Sequence, residues 1–383
     1  MIYYNKCRCC GNENLNPWLS LPPSPVANAL FTTPDFERYP LDLNYCNRCG
    51  HMQLVSAPDP DAVFSAYRYK SGVSASFRSH FEQYAVDIHN TCGIGEGSKI
   101  LEIGSNDGYL LYQFKLMYGS EVIGVEPSEF LVQDHTDKGV DVVTDFFTTN
   151  LVEQKGWAGS FDAILANNVL AHIPDTFDVM QGIANALKPG GILVAECGHQ
   201  TGITSGEYLD NVYHEHIDYY SPESFSRLLS RVGLATILVE TKNTHGMSFR
   251  IIARKVESNI YRSDVHGNQP FEEHLARVID YISARETRIK NALGDRPFVA
   301  YGAAAKAVTM LYSLSLVSDK LIGVVDDNEL KQNHYFPGTN ILITDPATLD
   351  PDALILVTAW NVYDDIKAKL EARGHKGEIL CMR

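Results

Sequence analysis

Residues 100–111 read ILEIGSNDGYLL, and this stretch decides the fold of the chain. An apolar run leads into a turn bounded by Gly104 and Gly108, and a helix-compatible segment follows. A strand, a glycine turn and a helix in this order form the first unit of an open α/β sheet, whose ligand binds beyond the carboxyl ends of the strands. Because glycine has no side chain, both positions would let the backbone pass close to that ligand.

Acidic residues around the turn indicate which ligand it binds. Glu102 and Asp107 would repel a pyrophosphate but attract a ligand that carries an ammonium group. The strand predicted at 122–125 ends in Glu126, which lies 22 residues after Gly104, the distance expected of an acid that binds ribose hydroxyls. The spacing G-x-N-x-G differs from the dinucleotide fingerprint, so S-adenosylmethionine is predicted as the cofactor rather than NAD. The alternative is a turn with only a structural role.

Alternating strands and helices continue after this unit, which predicts a parallel sheet with helices on both faces. The strand predicted at 140–143 is followed by Phe146, which is placed to face an adenine ring. A further strand at 161–166 ends at Asn167 and Asn168, which are candidates for contacts with the methionine part of the cofactor. The predicted cofactor-binding residues are Glu102, Gly104, Asn106, Gly108, Glu126, Phe146, Asn167 and Asn168.

Length and composition exclude several classes of protein. A chain of 383 residues is expected to form two or three domains, and 45% hydrophobic with 21% charged residues is typical of a globular protein. No apolar run approaches the roughly 20 residues that cross a bilayer. The amino terminus lacks the basic start and apolar core of a secretion signal, so a cytoplasmic location is expected. A net charge of -15 argues against binding to nucleic acid but allows a nucleotide ligand in a local basic pocket.

The eight cysteines are expected to be thiols or metal ligands rather than disulfides. Cys7 and Cys10 form one C-x-x-C pair, Cys46 and Cys49 form a second, and each pair is closed by a glycine. Two such turns present four thiolates to one tetrahedral ion, which predicts a structural Zn²⁺ site with no open position for catalysis. Cys9 is an alternative ligand in the first pair, and two unrelated thiol pairs are the alternative to a metal site.

The densest group of reactive side chains lies at 210–220, which reads DNVYHEHIDYY. A zinc-binding helix would need the spacing H-E-x-x-H, which this stretch lacks. A buried structural cluster is a second interpretation. The third, which we favour, is a proton-transfer site with a histidine base, a carboxylate that tunes it and a tyrosine hydroxyl. His214 and His216 would share a face in an extended segment but diverge in a helical turn, so the pattern does not choose between them.

These motifs together resemble a known family. The stretches YHEHIDYYS, LEIGSNDGYLL, GVEPS and HIPD, behind two C-x-x-C turns, resemble the sugar C-methyltransferases that act on nucleotide-linked 4-keto deoxysugars, over essentially the whole chain. The resemblance implies a zinc-binding domain at 1–70, a central class I methyltransferase domain with a Rossmann-like sheet at 71–255, and a second Rossmann-like domain at 256–383. The oligomeric state stays open.

The resemblance also implies roles for individual residues. It assigns His216 as the base, with Glu215 and Tyr213 as its neighbours, and places Tyr67 and His172 against the same sugar. The implied reaction removes a proton next to the ketone, and the resulting enolate carbon attacks the methyl group of the cofactor. An O-methyltransferase, in which His216 deprotonates a hydroxyl, and an inactive zinc-containing binding module are the alternatives.

The predicted substrate contacts lie in the second half of the chain. A second strand, glycine turn and helix surround Gly302, and Asp326 ends the next strand 24 residues later, which predicts a second Rossmann-like unit. Lys306 would begin its helix, where it could meet a phosphate of the nucleotide. His245 and Arg250 lie in a segment that reads HGMSFR, where the family carries a His-Gly-Gly-Ser type sequence. The alternative is a packing domain without a ligand.

Overall fold

The structure is a computed structural model that describes residues 1–28, 31–59, 70, 72, 75–242, 247–256 and 271–383. Tyr67 and His245, which have predicted roles in the site, lie outside the described residues. The described chain contains sheets of seven, five and four strands and one two-stranded pairing. Its α-helices are Ala75–Cys92, Tyr109–Tyr118, Val132–Asp137, Thr149–Gln154, Thr176–Ala186, Thr201–Thr204, Pro222–Ser230, Phe271–Leu293, Ala305–Ser313 and Tyr363–Ala372.

The seven-stranded sheet is built around the stretch that opens the sequence analysis. In spatial order its strands are Leu234–Lys242, Ser248–Lys255, Leu187–Gly198, Phe161–Asn167, Lys99–Ile103, Glu121–Val125 and Asp141–Val143. This order is that of the class I methyltransferase fold. The chain order reverses between Lys99–Ile103 and Phe161–Asn167, which is the point where open α/β sheets bind their ligands.

Helices cover both faces of this sheet, as the sequence predicts. Leu101 packs in the apolar cluster of one face together with the helix Thr176–Ala186, whereas Ile100 packs in the cluster of the opposite face with Ala75–Cys92 and Tyr109–Tyr118. Neighbouring strand residues point to opposite faces, which explains why the adjacent residues Ile100 and Leu101 are both apolar and buried.

One strand corrects the prediction of a parallel sheet. Ser248–Lys255 runs antiparallel to both of its neighbours, Leu187–Gly198 and Leu234–Lys242. Only residues 243–247 connect it to Leu234–Lys242, and so short a connection joins antiparallel strands because a parallel crossover needs a dozen residues or more.

The amino-terminal region forms an antiparallel sheet that a distant segment completes. Leu15–Ser24, Tyr39–Cys46 and Met52–Leu54 follow one another in space, and Asp218–Tyr219 pairs with Met52–Leu54 as the edge strand. Ile2–Tyr3 pairs separately with Ser56–Ala57. The motif at 213–216 therefore lies immediately before a strand of the amino-terminal sheet, although the two are more than 150 residues apart in sequence.

The carboxyl-terminal region forms the second Rossmann-like unit. Its parallel sheet has the spatial order Ile343–Thr344, Leu321–Val325, Phe298–Tyr301, Ile355–Val357 and Ile379–Cys381. Gly302 follows the central strand with φ 107°, a conformation that favours glycine, and the helix Ala305–Ser313 comes next. Among the described helices of the whole chain, none combines the length and apolar character that a membrane span requires.

The two C-x-x-C turns lie against each other. The four sulfur atoms of Cys7, Cys10, Cys46 and Cys49 all lie within 4.8 Å of one another, with 3.5 Å between those of Cys7 and Cys49. Four thiolates bound to one zinc ion at about 2.3 Å lie about 3.8 Å apart, so this set fits a tetrahedral Zn²⁺ site. The thiol of Cys9 is buried outside the four-sulfur group, which answers the question that the sequence left open.

We expect about one zinc per chain, and Cys46→Ser should lower the melting temperature and the zinc content together, because the metal stabilises the sheet that carries the turns. Metal analysis and thermal unfolding measure both quantities. Cys9→Ser is the matched control, since it removes a buried thiol that is not a ligand and should keep the zinc. Protein prepared without chelators that carries no zinc would contradict the assignment.

Candidate functional site

A cavity of about 570 Å³ opens where the strand order of the central sheet reverses. Its walls come from the carboxyl ends of four central strands, from the segment before Asp218–Tyr219, and from the helix Ala305–Ser313. The predicted residues that line it are Glu102, Gly104, Asn106, Glu126, Phe146, Asn167, Asn168, His172, Tyr213, Glu215, His216 and Lys306. The structure thus brings the predicted cofactor, catalytic and nucleotide contacts together in one space.

The glycine turn forms the floor at one end of the cavity. Gly104 has φ 63°, and a side-chain carbon at this position would lie 2.7 Å from Cγ2 of Val169. Asn106 also has positive φ, which asparagine tolerates better than most residues. Gly108 does not line the cavity and corrects the prediction of a cofactor contact there. A side-chain carbon at Gly108 would lie 2.8 Å from the His135 ring, so this glycine serves packing.

Two carboxylates shape this end of the cavity. Glu126 accepts hydrogen bonds from the backbone N–H groups of Asn106 and Ser128 at 2.9 and 3.0 Å, which fixes it beside the glycine turn. Glu102 accepts a hydrogen bond from Asn167 at 3.2 Å through one oxygen, while its other oxygen is buried and has no partner within the described part of the chain. Burial raises the pKa of the Glu102 carboxyl to about 8, and the nearby Asp107 adds to the effect.

This acidic end fits a ligand with a positive charge. A buried carboxylate oxygen without a partner is costly, and an ammonium or sulfonium group would offset that cost. Phe146 lines the same region and is 46% exposed, so its ring is accessible to a flat base. The donors and charges of the cavity therefore suit S-adenosylmethionine better than a pyrophosphate-containing nucleotide.

His216 also lines the cavity, and its ring has a defined orientation. Its Nδ1 lies 2.8 Å from the backbone oxygen of Asn211, and its Nε2 lies 2.8 Å from the hydroxyl of Tyr213. Because a carbonyl oxygen can only accept, Nδ1 carries the proton and donates. Nε2 then holds a lone pair that accepts from the Tyr213 hydroxyl. This arrangement suits a general base.

Two more polar groups surround this histidine. The ring of His172 lies 4.7 Å from that of His216, and its Nδ1 donates to the backbone oxygen of Glu215 at 2.6 Å. Burial lowers the pKa of His172, which favours the neutral imidazole. The Glu215 carboxylate accepts from the backbone N–H of Asn28 at 2.7 Å, and burial raises its pKa. Hydrogen bonds to backbone groups therefore fix both His172 and Glu215 beside the base.

The structure separates the two histidines of the motif. Residues 213–216 form a turn, closed by a 2.9 Å hydrogen bond from the His216 N–H to the oxygen of Tyr213. Side chains two apart diverge in such a turn. His214 consequently points away from the cavity, and its Nε2 lies 3.2 Å from the backbone oxygen of Pro40. Its contacts belong to the amino-terminal region.

Arg250 corrects another prediction. The sequence analysis predicts that Arg250 contacts the substrate, but its side chain is buried in the sheet, away from the cavity. Its Nε donates to Glu196 at 2.6 Å, and its Nη1 donates to Asp87 at 2.9 Å. The strand pairing places Arg250 directly opposite Glu196, which explains why its charge stays inside the core.

Lys306 reaches the cavity from the first turn of the helix Ala305–Ser313. Its ammonium group lies 5.8 Å from the centre of the Trp360 ring, and burial lowers its pKa. Thr309 of the same helix donates to the backbone oxygen of Val212 at 2.7 Å, just before the motif at 213–216. The carboxyl-terminal region therefore contributes a cation to the site.

Several lining residues were not predicted from the sequence. Phe77 and Phe81 lie one helical turn apart on Ala75–Cys92, a spacing that could have indicated a shared face. Asn28 lies 187 residues from its partner Glu215, and no local pattern marks it. Asn211 contributes through its backbone oxygen, which its residue type does not reveal.

Known proteins and family models are similar to most of the chain. Family models match at 7–64 for a zinc binding domain, at 77–239 for a methyltransferase domain and at 253–382 for a C-methyltransferase C-terminal domain. The C-methyltransferase NovU of Streptomyces niveus is 27% identical, over 97% of this chain and 94% of that protein. The chain is an S-adenosylmethionine-dependent methyltransferase.

Other methyltransferases are similar to only part of this chain. The ubiquinone biosynthesis O-methyltransferase of Nitrobacter winogradskyi is 30% identical over 36% of this chain and 57% of that protein. The crystal structure of the CurJ carbon methyltransferase covers 52% of this chain and 61% of that one, with 17% identity and a TM-score of 0.39.

The acidic end of the cavity would hold the cofactor, and the four-sulfur group would hold the zinc.

Glu126→Ala should weaken the binding of S-adenosylmethionine by about 1–3 kcal/mol, because it removes an acceptor for ribose hydroxyls and the partner of two backbone N–H groups. Titration calorimetry measures the affinity. Glu129→Ala removes an exposed carboxylate three residues further on and should bind as wild type does. Equal affinities in all three proteins would show that Glu126 does not contact the cofactor.

Glu102 should release a proton when the cofactor binds. Its pKa of about 8 keeps it protonated in the free enzyme at pH 7, and a bound cation favours the ionised form, so affinity should rise with pH up to about 8. Calorimetry in buffers of different ionisation enthalpy counts the protons. Glu102→Gln keeps the shape and should remove this proton release, while any proton exchanged by the cofactor itself stays. Identical proton counts in both proteins would refute the assignment.

Proposed function

We propose that this enzyme methylates a carbon atom of a nucleotide-linked 4-keto deoxysugar, with dTDP as the first nucleotide to test and His216 as the base. The observation that supports this most is the continuity of the cavity. Its lining includes the acidic residues Glu102 and Glu126, the Tyr213–His216 pair and Lys306. A cofactor, a carbon acid and a phosphate group would then each meet suitable side chains. The family matches support the domain boundaries at 1–70, 71–255 and 256–383.

The geometry of His216 suits the removal of a proton from carbon. The hydrogen bond from Nδ1 to Asn211 holds the tautomer in which Nε2 is basic. A positioned base contributes roughly 100- to 10,000-fold in rate. The Tyr213 hydroxyl donates a hydrogen bond to Nε2 of His216 at 2.8 Å in the free enzyme. Once the substrate is bound, this hydroxyl would donate instead to the developing oxyanion of the ketone. When bound, S-adenosylmethionine supplies the electrophilic methyl group.

Lys306 would bind the nucleotide phosphates. Its ammonium group lies in the first turn of a nine-residue helix, where backbone N–H groups and the helix dipole also favour an anion. Burial lowers the pKa of this ammonium group, so a bound phosphate would stabilise the charged form. The sugar would then extend from Lys306 toward His216.

O-methylation is the second candidate, because His216 would also deprotonate a hydroxyl group. NMR of the product distinguishes the two reactions, since a methyl group on carbon and one on oxygen differ clearly in chemical shift. A panel of nucleotide-linked 4-keto sugars, assayed for methyl transfer, tests the proposed substrate class directly.

His216→Asn should reduce turnover by roughly 100-fold or more, because asparagine keeps the hydrogen bonding to Asn211 but has no basic nitrogen. Binding of the cofactor should stay close to that of wild type. His214→Asn is the matched control, since His214 points away from the cavity, and its effect on turnover should be much smaller. Steady-state kinetics and calorimetry measure both.

Solvent deuterium exchange reports on the base itself. With S-adenosylhomocysteine in place of the cofactor, wild type should exchange the hydrogen next to the ketone, and His216→Asn should not. A His216→Asn enzyme with normal turnover and exchange would move the base to Tyr213, His172 or Tyr67.

A further inference from the structure

Arg8 lies inside the first C-x-x-C turn, but its side chain leaves the sulfur cluster. It is 8% exposed, and its guanidinium group is surrounded by acceptors. Nε donates to the Asp218 carboxylate at 2.8 Å, and Nη2 donates to the hydroxyl of Thr176 at 2.7 Å. The two Nη atoms also donate to the backbone oxygens of Ile173 and Pro174. The turn that binds zinc is therefore joined to a distant part of the chain.

The segments that Arg8 contacts carry His172 and His216, which line the cavity. Asp218 comes two residues after His216, and Ile173 comes directly after His172. The segments are also joined to each other, because the N–H of Ile217 donates to the oxygen of Ala171 at 2.7 Å. A guanidinium group offers five donors in one plane, so it can hold several acceptors at once in a fixed geometry.

The carboxylate at the centre of this network has a full set of donors. Asp218 is completely buried and accepts from Arg8, from His51 at 2.9 Å, from Thr176 at 3.1 Å and from Tyr220 at 3.0 Å. Several donors hold this buried carboxylate in place, and removing Arg8 would leave its charge without the arginine partner. Small shifts at Asp218 would therefore reach His216, two residues away.

We propose that Arg8 is a positioning residue for methyl transfer, through which the zinc-binding turn sets the placement of His172 and His216. This inference rests on the proposed function of His216 as the base. It gives the zinc site a second role besides the stability of the amino-terminal sheet. A shift of about 1 Å in a reacting group can cost roughly 100-fold in rate, so an arginine outside the cavity can matter for turnover.

The experiment compares Arg8→Gln and Arg8→Lys with Arg48→Gln in the full-length, zinc-loaded enzyme. Arg48 is an exposed arginine inside the second C-x-x-C turn and serves as the matched control. Zinc content, affinity for S-adenosylmethionine, kcat and KM are measured for each protein. Arg8→Gln should keep its zinc and cofactor affinity, while kcat falls by about 10- to 100-fold with a smaller change in KM. Arg8→Lys should not restore kcat, because a single ammonium group cannot reach four acceptors.

NMR of the histidine side chains tests the positioning role of Arg8 without any substrate. In protein labelled with nitrogen-15 in its imidazoles, the resonances of His172 and His216 should move in Arg8→Gln and stay in place in Arg48→Gln. His89, which stacks on Tyr118 away from the cavity, should be unaffected in both. If Arg8→Gln does not fold, the pair Arg8→Gln with Asp218→Asn removes both charges together and is read in the same way.

Two results would overturn the proposal. One is an Arg8→Gln enzyme, or its paired variant, with wild-type kcat and unchanged imidazole resonances. The other is a loss of activity that comes only with loss of zinc and of cofactor affinity, which would leave Arg8 a purely structural role. Failure of the proposed function is seen separately, as normal turnover in His216→Asn or as inactivity of wild type on all keto sugars tested.

Discussion

The buried carboxylate of Asp218 is the constraint on which the arrangement of the chain depends. Removing a charge from water costs several kcal/mol unless partners replace the solvent. Burial alone would raise the pKa of this carboxyl, but Arg8 and His51 hold it well below its usual range. Arg8 lies inside the first C-x-x-C turn, and His51 lies two residues after Cys49 of the second C-x-x-C turn. The carboxylate also joins these residues to the methyltransferase domain, because the hydroxyl of Thr176 donates to it.

The cavity is lined by groups of different charge, and this difference suits two ligands. Glu102 and Glu126 face one end, and burial raises the pKa of each. Hydrogen bonds to backbone groups hold the His216 ring and the Glu215 carboxyl, and Lys306 lines the same cavity. Acids that are buried without a compensating cation reduce stability, so their retention in a cavity indicates binding rather than folding.

Local patterns predicted the parts of the fold that depend on local structure. An apolar run marks the strand Lys99–Ile103, and two glycines mark the turn that follows it. Glu126 could be found from its distance to Gly104 in the sequence. The edge strand Asp218–Tyr219 could not, because it is two residues long and its partner Met52–Leu54 is far away in sequence. The same limit applies to the choice between histidines. It depends on the turn at 213–216, whose conformation is set by contacts with distant residues such as Pro40.

Arg250 shows why a cation in a site-like segment can serve the fold instead. Its pairing with Glu196 is a weak source of net stability, but a slip of one residue would send the two charges to opposite faces, so the pair fixes the register of the antiparallel strand. Glu196 also contacts His80, and Arg250 contacts Asp87, both on the helix Ala75–Cys92. That helix brings Phe77 and Phe81 to the cavity wall. An ion cluster inside the core thereby determines where the aromatic wall of the site lies.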